Sequence, residues 1–115
     1  MTIKKLYAVA ACCSLFVMTH QANALTVQQY KDACATHETN CDQHPILNAY
    51  IGGALDLLAS LQDETDYLST LYCKQPDEIF DIKKISPFIE NSDTQHDNKN
   101  AMLLLIAYFE EHGGC

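Results

Sequence analysis

Four cysteines, Cys34, Cys41, Cys73 and Cys115, punctuate the last 91 residues of this 115-residue chain, and they constrain its fold more than any other feature. An even number of cysteines in a short exported chain is a disulfide framework, because a domain of that size buries only a thin core and gains stability from cross-links. Export is read from the N-terminus. Lys4 and Lys5 form a positive start, Leu6 to Met18 is an apolar run interrupted only by Ser14, and Ala22-Asn23-Ala24 offers the small residues that a signal peptidase accepts. The spacing predicts a leader over residues 1–24, cut between Ala24 and Leu25, and one domain over residues 25–115. The apolar run, 13 residues long, is shorter than a membrane-spanning helix requires. Val9-Ala10-Ala11-Cys12 also resembles a lipobox, which makes lipidation at Cys12 the competing reading. The run continues past Cys12, which favours the cleaved, unanchored form.

Cys12 and Cys13 leave with the leader. Four cysteines permit three pairings. Cys34 and Cys41 flank a short polar loop, whereas Cys73 and Cys115 each end a later segment, so the expected bridges are Cys34–Cys41 and Cys73–Cys115. A zinc site or a haem attachment is not offered, since no C-x-x-C pair exists.

The rest reads as helix. Thr26 caps a first helix, with Gln29 completing a capping box, and Val27, Tyr30, Ala33 and Cys34 fall on one face. Pro45 suits the first turn of a second helix. From there Ile46, Leu47, Tyr50, Ile51, Ala54, Leu55, Leu58 and Leu61 keep the 3.6-residue period. Gly52-Gly53 would weaken an exposed helix, so they are expected where a neighbouring helix approaches closely. The acidic stretch from Gln62 to Asp66 either frays or carries the helix on to Tyr72. Cys73 and Pro76 end that segment. Asp81 caps a third helix bearing Ile82, Ile85, Phe88 and Ile89, with Pro87 predicting a kink or early break. Residues 91–100 are a polar loop without an apolar residue. Ala101 to Phe109 is a nearly unbroken apolar run expected at the centre of the bundle, stopped by Gly113-Gly114. No useful β-type alternation occurs. The expected fold is all-α, a small disulfide-stapled bundle of about four helices.

Charge narrows the partners. The chain has 15 Asp and Glu against seven Lys and no Arg, a formal charge of −8, and the leader removes Lys4 and Lys5 but no acid. A field of that sign repels nucleic acid and anionic lipid and favours basic partners. Catalysis finds little support. His37, His44, His96 and His112 lack metal-binding spacing, and the adjacent His96 and Asp97 in a loop point in different directions. Oxidised cysteines lack the thiolate a nucleophile needs. No residue set calls for a cofactor, and the chain reads as a non-enzyme.

The order Cys41 … Tyr50-Ile51-Gly52-Gly53-Ala54-Leu55-Asp56 … Cys73-x-x-Pro76 … Cys115 resembles the Tai/Rap-type immunity proteins. These are small periplasmic helical proteins that neutralise peptidoglycan amidases delivered by type VI secretion. The likeness spans most of residues 34–115, and departs from the family pattern in a longer Cys41-to-Tyr50 interval and one extra residue between Cys73 and Pro76. It implies a stoichiometric inhibitor, often a homodimer, that shields the effector's catalytic Cys/His pair with a protruding loop. It transfers no contact residue, because that loop is the least shared part. Within the motif, Tyr50, Gly52 and Gly53 read as packing residues, and Asp56 is left to cap a neighbour or face solvent.

The residues themselves offer two partner-binding segments. One is acidic, Gln62, Asp63, Glu64 and Asp66; the other is the polar loop of Asn91, Ser92, Asp93, Gln95, His96 and Asp97. Both could pair with a basic rim. An Hde-type periplasmic acid-stress chaperone is the alternative, also small, helical and disulfide-bonded. A bridge at Cys115 would oppose the acid-triggered loosening on which such chaperones depend.

Overall fold

A computed structural model describes residues 24–115. The expected leader, with Cys12 and all but the last residue of the cleavage motif, lies outside the described residues. Helices α1 (Val27–Thr36), α2 (Pro45–Glu64), α3 (Pro76–Ile79), α4 (Ile82–Glu90) and α5 (Ala101–His112) are joined by single 3-10 turns at Cys41–Gln43, Asp66–Thr70 and Thr94–His96. No strand occurs among the described residues; an isolated antiparallel bridge joins Thr26 to Asn100.

Each long helix starts where a side chain satisfies an otherwise unpaired amide. The Thr26 hydroxyl accepts from the Gln29 amide while the Gln29 side chain accepts from the Thr26 amide, closing the expected capping box. His44 Nδ1 accepts from the Leu47 amide at 3.3 Å, with Pro45 in the first turn. Asp81 accepts from the Lys83 amide and Asn100 from the Met102 amide. Gly113 then ends α5. A Cβ there would collide with the Phe109 carbonyl oxygen and lie 2.9 Å from Tyr72 Cα, so only glycine fits this approach.

α1 and α5 pack on α4, and α2 packs on the turns at Cys41–Gln43 and Asp66–Thr70. Tyr30, Ile51, Ile85, Ile89 and Phe109 are fully buried at the centre. Tyr72, Phe80 and Phe109 form a ring cluster with centroids 5.3 to 5.5 Å apart, and Tyr108 stacks against Phe109 at 5.8 Å. Ser86, the one buried polar side chain among the described residues, shares a 2.7 Å hydrogen bond with the Tyr30 hydroxyl. Both expected bridges form: Cys34–Cys41 closes the loop after α1, and Cys73–Cys115 ties the chain after the Asp66–Thr70 turn to the segment after α5.

Three expectations are corrected and one is narrowed. Gly52 and Gly53 are not pressed by another helix: a Cβ built on either meets nothing within 4 Å. Ile46 and Leu61 do not join the buried stripe of α2 but are 74% and 39% exposed, because the helix outreaches the elements packed on it. Leu103 and Ile106 leave the core as well, at 50% and 40% exposure, since a helix in contact with one layer of neighbours buries only part of its circumference. Of the kink or early break expected at Pro87, the break does not occur, since α4 runs through it to Glu90. The carbonyl that loses its helical donor belongs to Lys83, an exposed residue. As for the acidic stretch, α2 stops at Glu64 and gives way to the 3-10 turn rather than reaching Tyr72.

The open space at Gly53 yields a measurable expectation. Gly53→Ala should stabilise the domain by about 0.5–1 kcal/mol, because it removes backbone entropy from the unfolded chain and adds no clash. A rise of roughly 4–8 °C per kcal/mol in the thermal midpoint would register it. A drop in stability would show that something does sit on this face.

Burial also holds four phenols above the ordinary tyrosine range. Desolvation is the leading cause for Tyr30, Tyr50, Tyr72 and Tyr108, with Ser86 partly offsetting it at Tyr30 and the Asp63 and Asp81 charges adding to it at Tyr72 and Tyr108. A raised phenol means that the folded chain keeps its protons longer than the unfolded one. Stability from this source is therefore complete below about pH 10 and falls as pH rises through the folded values. Denaturant midpoints measured from pH 8 upward should be flat at first and then decline; a midpoint that climbs above pH 10 would contradict this.

Candidate protein-binding site

The polar loop is a built structure. Asn91 ends α4 and donates its side-chain amide to the Pro87 carbonyl at 2.9 Å. The Ser92 hydroxyl donates to the Ile89 carbonyl at 2.7 Å. Asp93 caps the next turn by accepting from the Gln95 amide at 3.0 Å. Lys31, reaching across from α1, donates to both the Ser92 carbonyl and the Asp97 carboxylate at 2.7 Å. This ion pair is half-buried, 18% and 19% exposed, so solvent screens it less than an exposed pair. The backbone closes the frame: the Val27 amide donates to the Lys99 carbonyl, Gln28 to Asp97, and Ala101 to Leu25. The loop is thus riveted to both α1 and α4.

That rigidity shapes a pocket of about 370 Å³ between the loop and α5. Phe88, Leu104 and Ala107 give it an apolar lining, and Asn91, Ser92, Asp93 and His96 add polar groups. Four of the six loop residues expected to bind a partner therefore surround one concavity. Gln95 is exposed, and Asp97 is engaged by Lys31. The adjacent His96 and Asp97 do not act as a pair. His96 instead carries a buried Nδ1 without a hydrogen-bond partner among the described residues. The apolar lining was hidden in the sequence because Phe88, Leu104 and Ala107 sit in helical runs that read as core. The available signal was that Ala101 to Phe109 holds more apolar side chains than one helix face can bury.

The acidic segment lies elsewhere. Gln62, Asp63 and Glu64 form the last turn of α2 and Asp66 opens the following turn, all four exposed. Gln62 accepts a 3.0 Å hydrogen bond from the Tyr72 hydroxyl, which fastens the turn to the aromatic cluster. Neither ion pair among the described residues, Lys31–Asp97 or His112–Glu111, involves Asp63, Glu64 or Asp66. The two segments expected to bind a partner do not form one surface: the loop borders the pocket on Phe88 and Leu104, and the acidic turn adjoins a different face of α2 and α5. Asp56 faces solvent, and Tyr50 packs half-buried against the core.

Among the described residues metal chemistry has one geometric opening, where the sulfurs of Cys34 and Cys41 and a Glu90 carboxylate oxygen lie within 4.8 Å of one another. Both sulfurs are joined in the disulfide, which leaves neither as the thiolate that a metal takes. No helix among the described residues is long and apolar enough to cross a membrane. The two disulfides are consistent with an oxidising compartment.

No protein-family model matches this chain, and neither curated proteins nor solved structures provide a match.

Proposed function

We propose that this chain is an exported immunity protein that binds and blocks a type VI secretion peptidoglycan amidase effector in the periplasm. The observation that carries the reading is the braced loop at residues 91–97. It combines a pocket with an apolar lining, polar groups around it, and an anchoring ion pair that keeps the surface in shape before any partner arrives. A surface held ready in this way avoids the ordering cost that weakens flexible contacts, which suits a tight one-to-one inhibitor. The acid excess favours a basic partner and speeds its capture. Removal of residues 1–24 by a signal peptidase and oxidation of the four cysteines after export complete the proposal, and the order of the Tyr50–Asp56, Cys73 and Cys115 motifs supports it.

The test is co-production with candidate amidase effectors directed to the periplasm. The wild-type chain should prevent lysis by its cognate effector. Asp93→Asn, which removes a charge beside the loop pocket and keeps the oxygen that caps the Thr94–His96 turn, should weaken protection while leaving the circular dichroism spectrum unchanged. Protection from none of the effectors, joined to dye binding and suppression of client aggregation at low pH, would replace this reading with the acid-stress chaperone.

A further inference from the structure

Round α5 from the loop pocket lies a second concavity of about 430 Å³, lined by Leu58, Leu68, Thr70, Leu71, Ile106 and Glu110. The two helices that line it also carry exposed apolar side chains, of which Ile106 lies in the groove itself. Leu57 and Leu61 stand one turn apart on α2 at 60% and 39% exposure, and Leu103 and Ile106 stand on α5 at 50% and 40%. Leu58, Leu68, Leu71 and Ile106 meet in one concavity, and an apolar concavity on the surface marks an interaction site.

The one charged residue in its lining is acidic, Glu110, and the elements that frame it carry acids without lysine or arginine. The three elements that line the groove, α2, the Asp66–Thr70 turn and α5, contain Asp56, Asp63, Glu64, Asp66, Glu110 and Glu111 and no lysine or arginine. Glu111 has the His112 imidazole at 3.7 Å, and the other five acids take part in no ion pair among the described residues. An apolar centre inside a charged rim is the make-up of a protein interface. A second copy of this chain would bring the same acids against these, and nucleic acid or anionic lipid would be repelled in the same manner.

We propose that this groove is a docking site for a cationic polypeptide segment. Its apolar side chains would lie against Leu58, Leu68 and Ile106, and its Lys or Arg side chains would pair with Asp63, Glu64, Asp66 and Glu110. The proposal rests on the inhibitor reading in one respect: the segment belongs to the effector, which is then held at two surfaces, the loop pocket and this groove. Two contacts on one rigid body add their affinities through proximity.

The probe is a synthetic amphipathic peptide of leucine and lysine, titrated into the oxidised domain of residues 25–115 by calorimetry and by amide NMR. Resonance shifts should centre on Leu58, Leu68, Leu71 and Ile106. The double substitution Leu61→Asn with Ile106→Asn, at exposed positions that leave folding intact, should weaken binding by roughly tenfold. Asp63→Lys with Glu64→Lys should weaken it similarly and flatten its salt dependence. Asp32→Lys with Glu38→Lys, the same charge change in the α1 region, should change it by less than about threefold, since exposed charges act mainly within a Debye length. Equal weakening by both charge pairs, or shifts spread away from the groove, would overturn the proposal. So would a wild-type dimer in sedimentation that Ile106→Asn dissolves, because the occupant would then be a second copy. Peptide binding at the groove without protection from any amidase would leave the docking site standing and remove the immunity reading. Protection that survives both groove variants would do the reverse.

Discussion

Replacing Cys73 and Cys115 by serine should lower the stability of the domain by about 4 kcal/mol, the loss expected when an unfolded chain is released from a closed loop of this length. The two residues are 42 apart in sequence, and their bridge is the only covalent restraint on the second half of the described chain. Small domains hold roughly 5–15 kcal/mol in total, so the variant would sit near the edge of folding. The same reasoning gives about 2.5 kcal/mol for Cys34 and Cys41, which are only seven apart. Urea unfolding of both double variants should therefore rank them in that order. The local setting strengthens the expectation, since Cys73 and Lys74 both donate backbone hydrogen bonds of 2.9 Å to the Gly113 carbonyl, a clasp that the bridge holds in register. A shift below about 1 kcal/mol for the Cys73 and Cys115 pair would mean that the unfolded chain is already compact there.

Phe109→Ala should be comparably damaging, at about 3–5 kcal/mol. Its ring is fully buried and touches three others, Tyr72, Phe80 and Tyr108, so truncation leaves a cavity that cannot collapse without moving all of them. Tyr72 is also the anchor for Gln62, so the acidic turn should loosen along with the core. Leu103→Ala on the same helix is the control. That side chain is half exposed, and its loss should cost well under the Phe109 figure. Equilibrium unfolding with tyrosine fluorescence measures both. Similar losses for the two would show that α5 is buried all round and that the groove is not an open surface.

Most of the fold was legible in the sequence, and the reason is local. Thr26 with Gln29, Pro45, Asp81 and Gly113 each act within a few residues of themselves, so their meaning survives without knowledge of the neighbours. The pairing of the cysteines was legible too, because Cys34 and Cys41 are too near in sequence to belong to different parts of the bundle. What could not be read was which side of an apolar helix faces outward. Leu61 and Leu58, or Ile106 and Leu105, are chemically alike, and only the placement of α4 and of the turn after α2 decides their exposure. Gly52-Gly53 misled for the same reason: a glycine pair is equally compatible with a close neighbour and with none. The loop of residues 91–97 was recognised as polar, but its rigidity comes from Lys31, which lies on α1 and gives no hint of that role in its own surroundings.

The rivets between α1 and the far loop bear on how the molecule comes into being. Lys31 meets its carboxylate 66 positions later, and the first turn of α1 is completed by carbonyls of Asp97 and Lys99. A chain that ended before those residues would lack the acceptors for the Val27 and Gln28 amides and the carboxylate that Lys31 pairs with. The first turn of α1 is therefore completed only by contacts that arrive from the far end of the sequence, so the opening helix depends on the last third of the chain for its final seat.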